Sequence, residues 1–238
     1  MQGLLQVSTP NGHPMIMAVR LDTVDHLTVD AITNHDEYGI RGRRWDGWAL
    51  DVGAHIGTLA CALALENPGL SVIAIEPVPE NAALIRENVG LNGLGVHVIE
   101  AGASDTDGTG SVNYDFHSDG DDAEFVHHNR FIGDLFRTSP HMGREVEVET
   151  VSLAGVMARF GIERIALLKT DCEGGEWRFL SDPAANARVD EIVGEFHDRP
   201  WPAIADLLAA THDTTLLEDK GGHGLFRAVR RSHAGDRP

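Results

Sequence analysis

Three stretches of the sequence hold carboxylates, glycines and a histidine at spacings that could do chemistry. In Asp51-Val-Gly53-Ala54-His55-Ile-Gly57 the glycines stand as Asp-x-Gly-x-x-x-Gly, with an acid ahead of the first. Dinucleotide folds place a Gly-x-Gly-x-x-Gly turn at the same point, where backbone amides and a helix N-terminus face a pyrophosphate. A carboxylate beside such a turn repels phosphate and attracts an ammonium. The turn therefore suits the methionine part of S-adenosylmethionine, which carries an amino group and a sulfonium and no phosphate. Glu76-Pro77 adds a second acid at the end of the next apolar run. A carboxylate there can accept both ribose hydroxyls in a bidentate pair of hydrogen bonds. Ala103 and Ser104, which end a third run, are expected to complete the cofactor side, together with Asp171.

The acceptor side is expected at Lys169-Thr-Asp171-Cys-Glu173-Gly-Gly-Glu176 and at Glu195-Phe-His197. Open α/β sheets bind ligands at the C-terminal edges of their strands, where both segments fall. Asp171 is expected to face cofactor or acceptor, Glu173 to reach the site, and Glu176 to favour the first turn of a following helix. Alternation along a strand points Glu195 and His197 to one side. Methyl transfer to a hydroxyl is an in-line displacement at carbon, which needs the oxygen aligned with the methyl and a proton removed. Histidine suits that proton transfer near neutral pH, so His197 is the expected general base, with a structural histidine at a strand end as the alternative. Asp171, Glu195 and His197 are the catalytic set. The same three could hold Mg²⁺ against two acceptor hydroxyls, but the metal-free version is preferred.

These residues need a parallel sheet to bring them to one edge. Trp48–Val52, Ser71–Ile75 and Val96–Ile99 are short apolar runs of the kind that form buried strands, separated by helical segments over about 56–65 and 79–89. Alternating strands and helices imply a parallel sheet with right-handed crossovers. Ser152 is a fitting N-cap for a helix over 153–160 that Gly161 stops. Ile165–Leu168 and Asp190–Val193 supply further strands, 202–210 a helix, and Thr214–Leu217 with Leu225–Val229 two closing strands. Between about 106 and 149 the pattern breaks into an irregular insertion with one or two strands, such as Glu145–Val151. The expected organisation is an N-terminal extension over 1–45 that packs on the core, one domain over 46–232, and a tail over 233–238.

Of 238 residues, 37 are Asp or Glu and 19 Lys or Arg, a net charge of −18 that makes nucleic acid an unsuitable partner. No apolar stretch is long enough to span a bilayer and no signal segment is visible, so a cytoplasmic protein without a membrane partner is expected. Cys61 and Cys172 sit in apolar or motif segments, which fits a reducing compartment. Homo-oligomerisation is compatible with the composition, although no motif specifies it. Half of the charge imbalance lies between residues 100 and 150. That stretch holds His117, Asp119, Asp121, Asp122, His127 and His128 without a fixed metal-ligand spacing. A mobile acidic lid over the acceptor is expected there, which would favour a basic or amino-bearing substrate.

Asp51 to Gly57, Ile75-Glu-Pro-Val-Pro-Glu-Asn81, Asn88 with Leu91-Asn92, and Leu168 to Glu176 together resemble the FkbM family of S-adenosylmethionine-dependent methyltransferases. The resemblance covers roughly residues 46–198. It implies a class I methyltransferase, Rossmann-like fold with a seven-stranded, mostly parallel sheet whose last strand is antiparallel. It also implies O-methylation of a small-molecule acceptor, often a sugar or other part of a bacterial natural product. His55 departs from the family, which usually has Asn at that position. An RNA or protein methyltransferase is the competing reading, disfavoured by the charge and by the lack of an Asn/Asp-Pro-Pro-Tyr/Phe motif. A non-catalytic nucleotide-binding module is a third, disfavoured for NAD by the glycine spacing.

Overall fold

The computed structural model describes residues 1–114, 130–132 and 144–231. The chain opens with a hairpin, β1 (Gln2–Ser8) and β2 (Pro14–Arg20), and a helix, α1 (Asp25–Thr33). Strands and helices then alternate through β3 (Gly47–Val52), α2 (Thr58–Glu66), β4 (Leu70–Ile75), α3 (Pro79–Leu91) and β5 (His97–Ile99). Short strands follow, β6 (Gly102–Ala103), β7 (Gly108–Tyr114), β8 (Arg130–Ile132) and β9 (Arg144–Val151). Alternation resumes with α4 (Leu153–Phe160), β10 (Leu167–Thr170), α5 (Glu176–Phe179), α6 (Pro183–Asn186), β11 (Glu191–Phe196) and α7 (Trp201–Leu208), and β12 (His212–Asp219) and β13 (Gly224–Arg230) close the chain.

The main sheet has seven strands in the order β12-β13-β11-β10-β3-β4-β5. β3, β4, β5, β10 and β11 run parallel, and β13, last in the sequence, is antiparallel to β11 on one side and β12 on the other. The chain builds outward from β3 to β4 and β5, then crosses back to β10 on the other side of β3. That reversal opens a crevice at the C-terminal ends of β3 and β10, as expected of open α/β sheets. Ala49, Leu50, Val52, Ile73, Ala74 and Ile75 are fully buried, which explains their unbroken apolar runs.

The fourth expected strand is displaced. Ile165 makes only an isolated bridge to Val189, and the strand proper runs over Leu167–Thr170. Lys169 and Thr170 are nonetheless buried, so a polar strand end was hidden from a search for apolar runs. The described residues of the insertion hold more strands than expected, because β7, β8 and β9 join β6 in a second sheet of order β6-β9-β7-β8. Val112 and Val148 close it on Val78, but the short, glycine-interrupted β7 shows no clear alternation. Asp107 accepts from the Ser152 amide at 2.7 Å and its hydroxyl at 2.8 Å, and the Ser152 hydroxyl accepts from Gly155 at 3.0 Å. Ser152 thus caps α4, as its sequence position suggests, and Asp107 holds that cap in place. The lid residues His117, Asp119, Asp121, Asp122, His127 and His128 lie outside the described residues.

The N-terminal hairpin docks on α3 through two asparagines one helical turn apart. Asn88 receives the Ala18 amide at 2.6 Å and donates to its carbonyl at 3.2 Å, while Asn92 does the same for Ile16 at 2.9 and 2.7 Å. Each carboxamide stands in for a neighbouring strand and satisfies β2 backbone groups that would otherwise be unpaired. Met15, Met17 and Val19 are buried in the same core as α2.

Candidate active site

A cavity of about 300 Å³ opens at the crevice. Asp51, Gly53, Ala54, His55, Glu76, Pro77 and Ala103 line it. Asp171, Glu173 and Glu195 line it as well, joined by Glu37, Tyr38 and Lys169. Three expected site residues are not in this wall. Gly57 turns the chain into α2 at φ +82°, with its amide donated to Ala54 at 2.8 Å. Ser104 donates its hydroxyl to Asp105 at 3.2 Å, and His197 stands behind the acidic wall.

Gly53 is obligatory for a steric reason. Its φ is +72°, and a Cβ placed there would lie 1.7 Å from the backbone oxygen of Asp171. Gly53→Ala must therefore push β3 from β10 or refold the turn, and it is expected to cost about 3 kcal/mol or more in chemical denaturation.

Asp51 is fully buried and its carboxylate lies 3.2 Å from Lys169 Nζ. Lys169 also donates to the Gly53 carbonyl at 2.7 Å, locking the turn to β10. Burial alone would lower the Lys169 pKa, but Asp51 and Asp171 outweigh it and hold the amine charged. The sequence points to the acid of this pair and misses its cation, because a lysine inside a buried strand carries no periodic signal.

Glu76 accepts from the His55 amide at 2.9 Å, the Val78 amide at 3.1 Å and Asn81 Nδ2 at 3.1 Å. A carboxylate has about four acceptor directions, so one remains, on Oε2. The bidentate edge expected for ribose is therefore partly used already. The hydroxyl of buried Thr58 lines the cavity without a hydrogen-bond partner among the described residues. That hydroxyl, the free direction on Glu76, buried Asp51 and the close backbone approach at Gly53 fit an adenosine with an amino-acid arm.

One histidine is surrounded by acids. His197 Nε2 lies 3.2 Å from Glu195, 3.7 Å from Glu173 and 3.9 Å from Asp171, and Nδ1 lies 3.3 Å from Glu176. Glu176 does more than start a helix. It is fully buried, accepts the His197 amide at 2.8 Å and the Gly174 amide at 2.9 Å, and so ties the end of β11 to the turn after β10. Trp177 Nε1 adds a bond to the His197 carbonyl at 2.7 Å. Burial would lower the imidazole pKa, but the hydrogen bonds with Glu176 and Glu195 and the charges of Glu176 and Glu173 push it up to about 12. That shift favours the imidazolium at neutral pH, the form that donates a proton rather than accepts one.

Two acids of the cavity wall are shifted upward as well. Burial, then the charges of Asp171, Glu176 and Glu195, push Glu173 up to about 8 against the pull of His197. Burial, Asp171 and Glu195 raise Glu37 to about 6. Glu173 also has φ +52°, a region that few residues other than glycine occupy and that concentrates at functional sites. The Tyr38 hydroxyl donates to Asp171 Oδ2 at 2.8 Å and turns that carboxylate. Among the described residues, Asp171, Glu173 and His197 offer one ligand atom each within 4.8 Å of one another, a group with Glu173 in the place expected for Glu195.

The strand order, the antiparallel β13 and the crevice between the glycine turn and Glu76 define a class I methyltransferase fold. Residues 51–221 match the family model of the methyltransferase FkbM domain, and the chain belongs to this FkbM family of methyltransferases. It is 30% identical over 206 residues to 31-O-demethyl-FK506 methyltransferase FkbM of Streptomyces tacrolimicus, across 77% of this chain and 70% of the relative. Methyltransferase sdnD of Sordaria araneosa is 26% identical over 214 residues, across 77% of this chain and 76% of the relative. Among solved structures, methyltransferase FkbM of Methylobacillus flagellatus superposes with a TM-score of 0.50 at 14% identity and shares the fold. The match covers 84% of this chain and spans about half, 47%, of that one. Family membership implies S-adenosylmethionine as the methyl donor, in agreement with the fit of the cavity. Among the described residues no helix is long and apolar enough to cross a membrane.

Proposed function

We propose that the chain methylates a hydroxyl of a small natural-product acceptor, and that Glu173 takes the hydroxyl proton. The observation that carries this reading is Glu173 itself, a left-handed residue in the cavity wall with its carboxyl raised and an imidazolium 3.7 Å away. The name of the S. tacrolimicus relative, an O-demethyl-FK506 methyltransferase, supports a hydroxyl acceptor. When bound, S-adenosylmethionine supplies a methyl group on a sulfonium. Asp51 and Glu76 orient it, while Asp171, steered by Tyr38, and Glu195 orient the acceptor oxygen. Ionised Glu173 accepts the proton as the oxygen attacks, and His197 steadies the clustered carboxylates without titrating. A sugar as the acceptor and the absence of nucleic-acid or membrane partners belong to the same proposal, the latter supported by the net charge of −18.

A cation at Asp171, Glu173 and His197 is a second reading favoured by their spacing. The metal-free version is preferred because the imidazolium already supplies positive charge at that point. Calorimetry with S-adenosylhomocysteine and with NAD tests the cofactor, with binding expected only for the former. Turnover is expected to survive exhaustive chelation; loss of turnover that Mg²⁺ restores would replace the metal-free mechanism by the metal one.

A further inference from the structure

Two side chains from outside the matched residues 51–221 reach the ribose acid through a closed circuit of hydrogen bonds. Asn81 on α3 donates Nδ2 to Glu76 Oε1 at 3.1 Å and accepts at Oδ1 from Arg20 at 2.7 Å. Arg20, at the end of β2, grips Asp25 through Nε at 2.9 Å and Nη2 at 2.8 Å, and its backbone amide adds a third bond at 2.8 Å. Asp25 Oδ1 lies 3.3 Å from His55 Nε2 in the glycine turn. The His55 amide then returns to Glu76 Oε2 at 2.9 Å. Glu76, Asn81 and Asp25 are buried, so water does not compete for these bonds.

Each member constrains the next. A carboxamide could present either its oxygen or its nitrogen to Glu76, and the guanidinium on Oδ1 fixes the nitrogen there. Asp25 holds that guanidinium in a bidentate pair and holds the His55 ring at the same time. His55 has φ +52°, unfavourable for a residue with a Cβ, and its ring contact with Asp25 helps keep the turn in that shape. We infer that Arg20, Asp25 and His55 are positioning residues for the methyl donor. They fix the direction of the Glu76 carboxylate and the form of the glycine turn, so the N-terminal segment completes the cofactor site. This rests on the reading that the cavity takes S-adenosylmethionine.

Asp25→Asn is expected to weaken S-adenosylhomocysteine binding in calorimetry about tenfold or more, since it removes an acceptor from a charged pair. KM for S-adenosylmethionine should rise in parallel while kcat stays within about a factor of three. Arg20→Lys keeps the charge but cannot grip Asp25 bidentately and reach Asn81 together, and should act likewise. 5′-Methylthioadenosine, which keeps the ribose and lacks the amino-acid arm, should show the same loss. In a Glu76→Gln background Asp25→Asn should cost clearly less than in the unaltered chain, because the part of its effect that runs through the Glu76 carboxylate is already lost. Full additivity, or unchanged affinity in folded Asp25→Asn and Arg20→Lys proteins, overturns the inference. His55→Asn, too short to reach Asp25, decides the matter by the same readout should the buried variants not fold. Failure of the unaltered chain to bind S-adenosylhomocysteine overturns the cofactor reading instead.

Discussion

Glu173→Gln is expected to lower kcat about 10²–10³-fold, the usual share of a positioned general base. The effect on KM for the methyl donor should be small, because the proposed role of Glu173 is toward the acceptor hydroxyl and not toward the donor. The pH dependence separates this residue from its neighbours. Glu173 must be ionised to accept a proton, so kcat/KM should rise with pH through about 8, and the glutamine variant should lack that limb. Stability should move in the opposite direction. Between the usual 4.5 and the raised 8, the folded chain binds this proton more tightly than the unfolded chain, so stability falls as pH rises through that window. Above it the neutral glutamine removes the penalty, and the variant should unfold at higher denaturant concentration than the unaltered protein. A slower yet more stable enzyme cannot be explained by misfolding. Retention of kcat with its pH limb in Glu173→Gln would return the base to another carboxylate.

Lys169→Met should produce the largest loss of stability. The amine and the Asp51 carboxylate are both buried, and removing one partner leaves the other charge without compensation, at a cost of about 3–5 kcal/mol. The variant also loses the bond to the Gly53 carbonyl, so donor binding should fall with stability. Adding Asp51→Leu should restore much of the unfolding free energy without restoring binding, because a dry pair can be replaced by apolar contacts but the turn needs its acid. Denaturant unfolding of the two single variants and the double variant checks this, and simple additivity would refute the coupling.

The parallel core was legible because buried strands such as 48–52 and 71–75 are apolar on both faces and glycine or proline marks their ends. The acids near strand ends were legible too, since Asp51 stands within such a run, Glu76 follows one directly, and Asp171 and Glu195 come two or three residues after one. Their partners were not. Arg20 and Asn81 are 61 residues apart and Tyr38 and Asp171 133 apart, and no local pattern joins them. Alternation placed His197 beside Glu195, 3.2 Å away, but its charge depends on Glu176 and Glu173 from another segment. Glu176 looked like a helix-start acid because its spacing fits that role, while its burial against His197 is a tertiary fact. The second sheet escaped because β8 and β6 have three and two residues, too few to show a period.

The place of β13 bears on how the chain is made. Synthesis proceeds from the N-terminus, and Gly224–Arg230 emerges after every other strand, yet it fills an interior position between β11 and β12. Until it arrives, one face of Phe196 and the edge of β11 have no cover from Phe226 and Ala228, and β12 has no neighbour in the sheet. A ribosome that stops before Gly224 therefore releases a chain with an open, apolar sheet edge, the form most prone to pair with other copies. Only a chain translated through Arg230 can close this sheet.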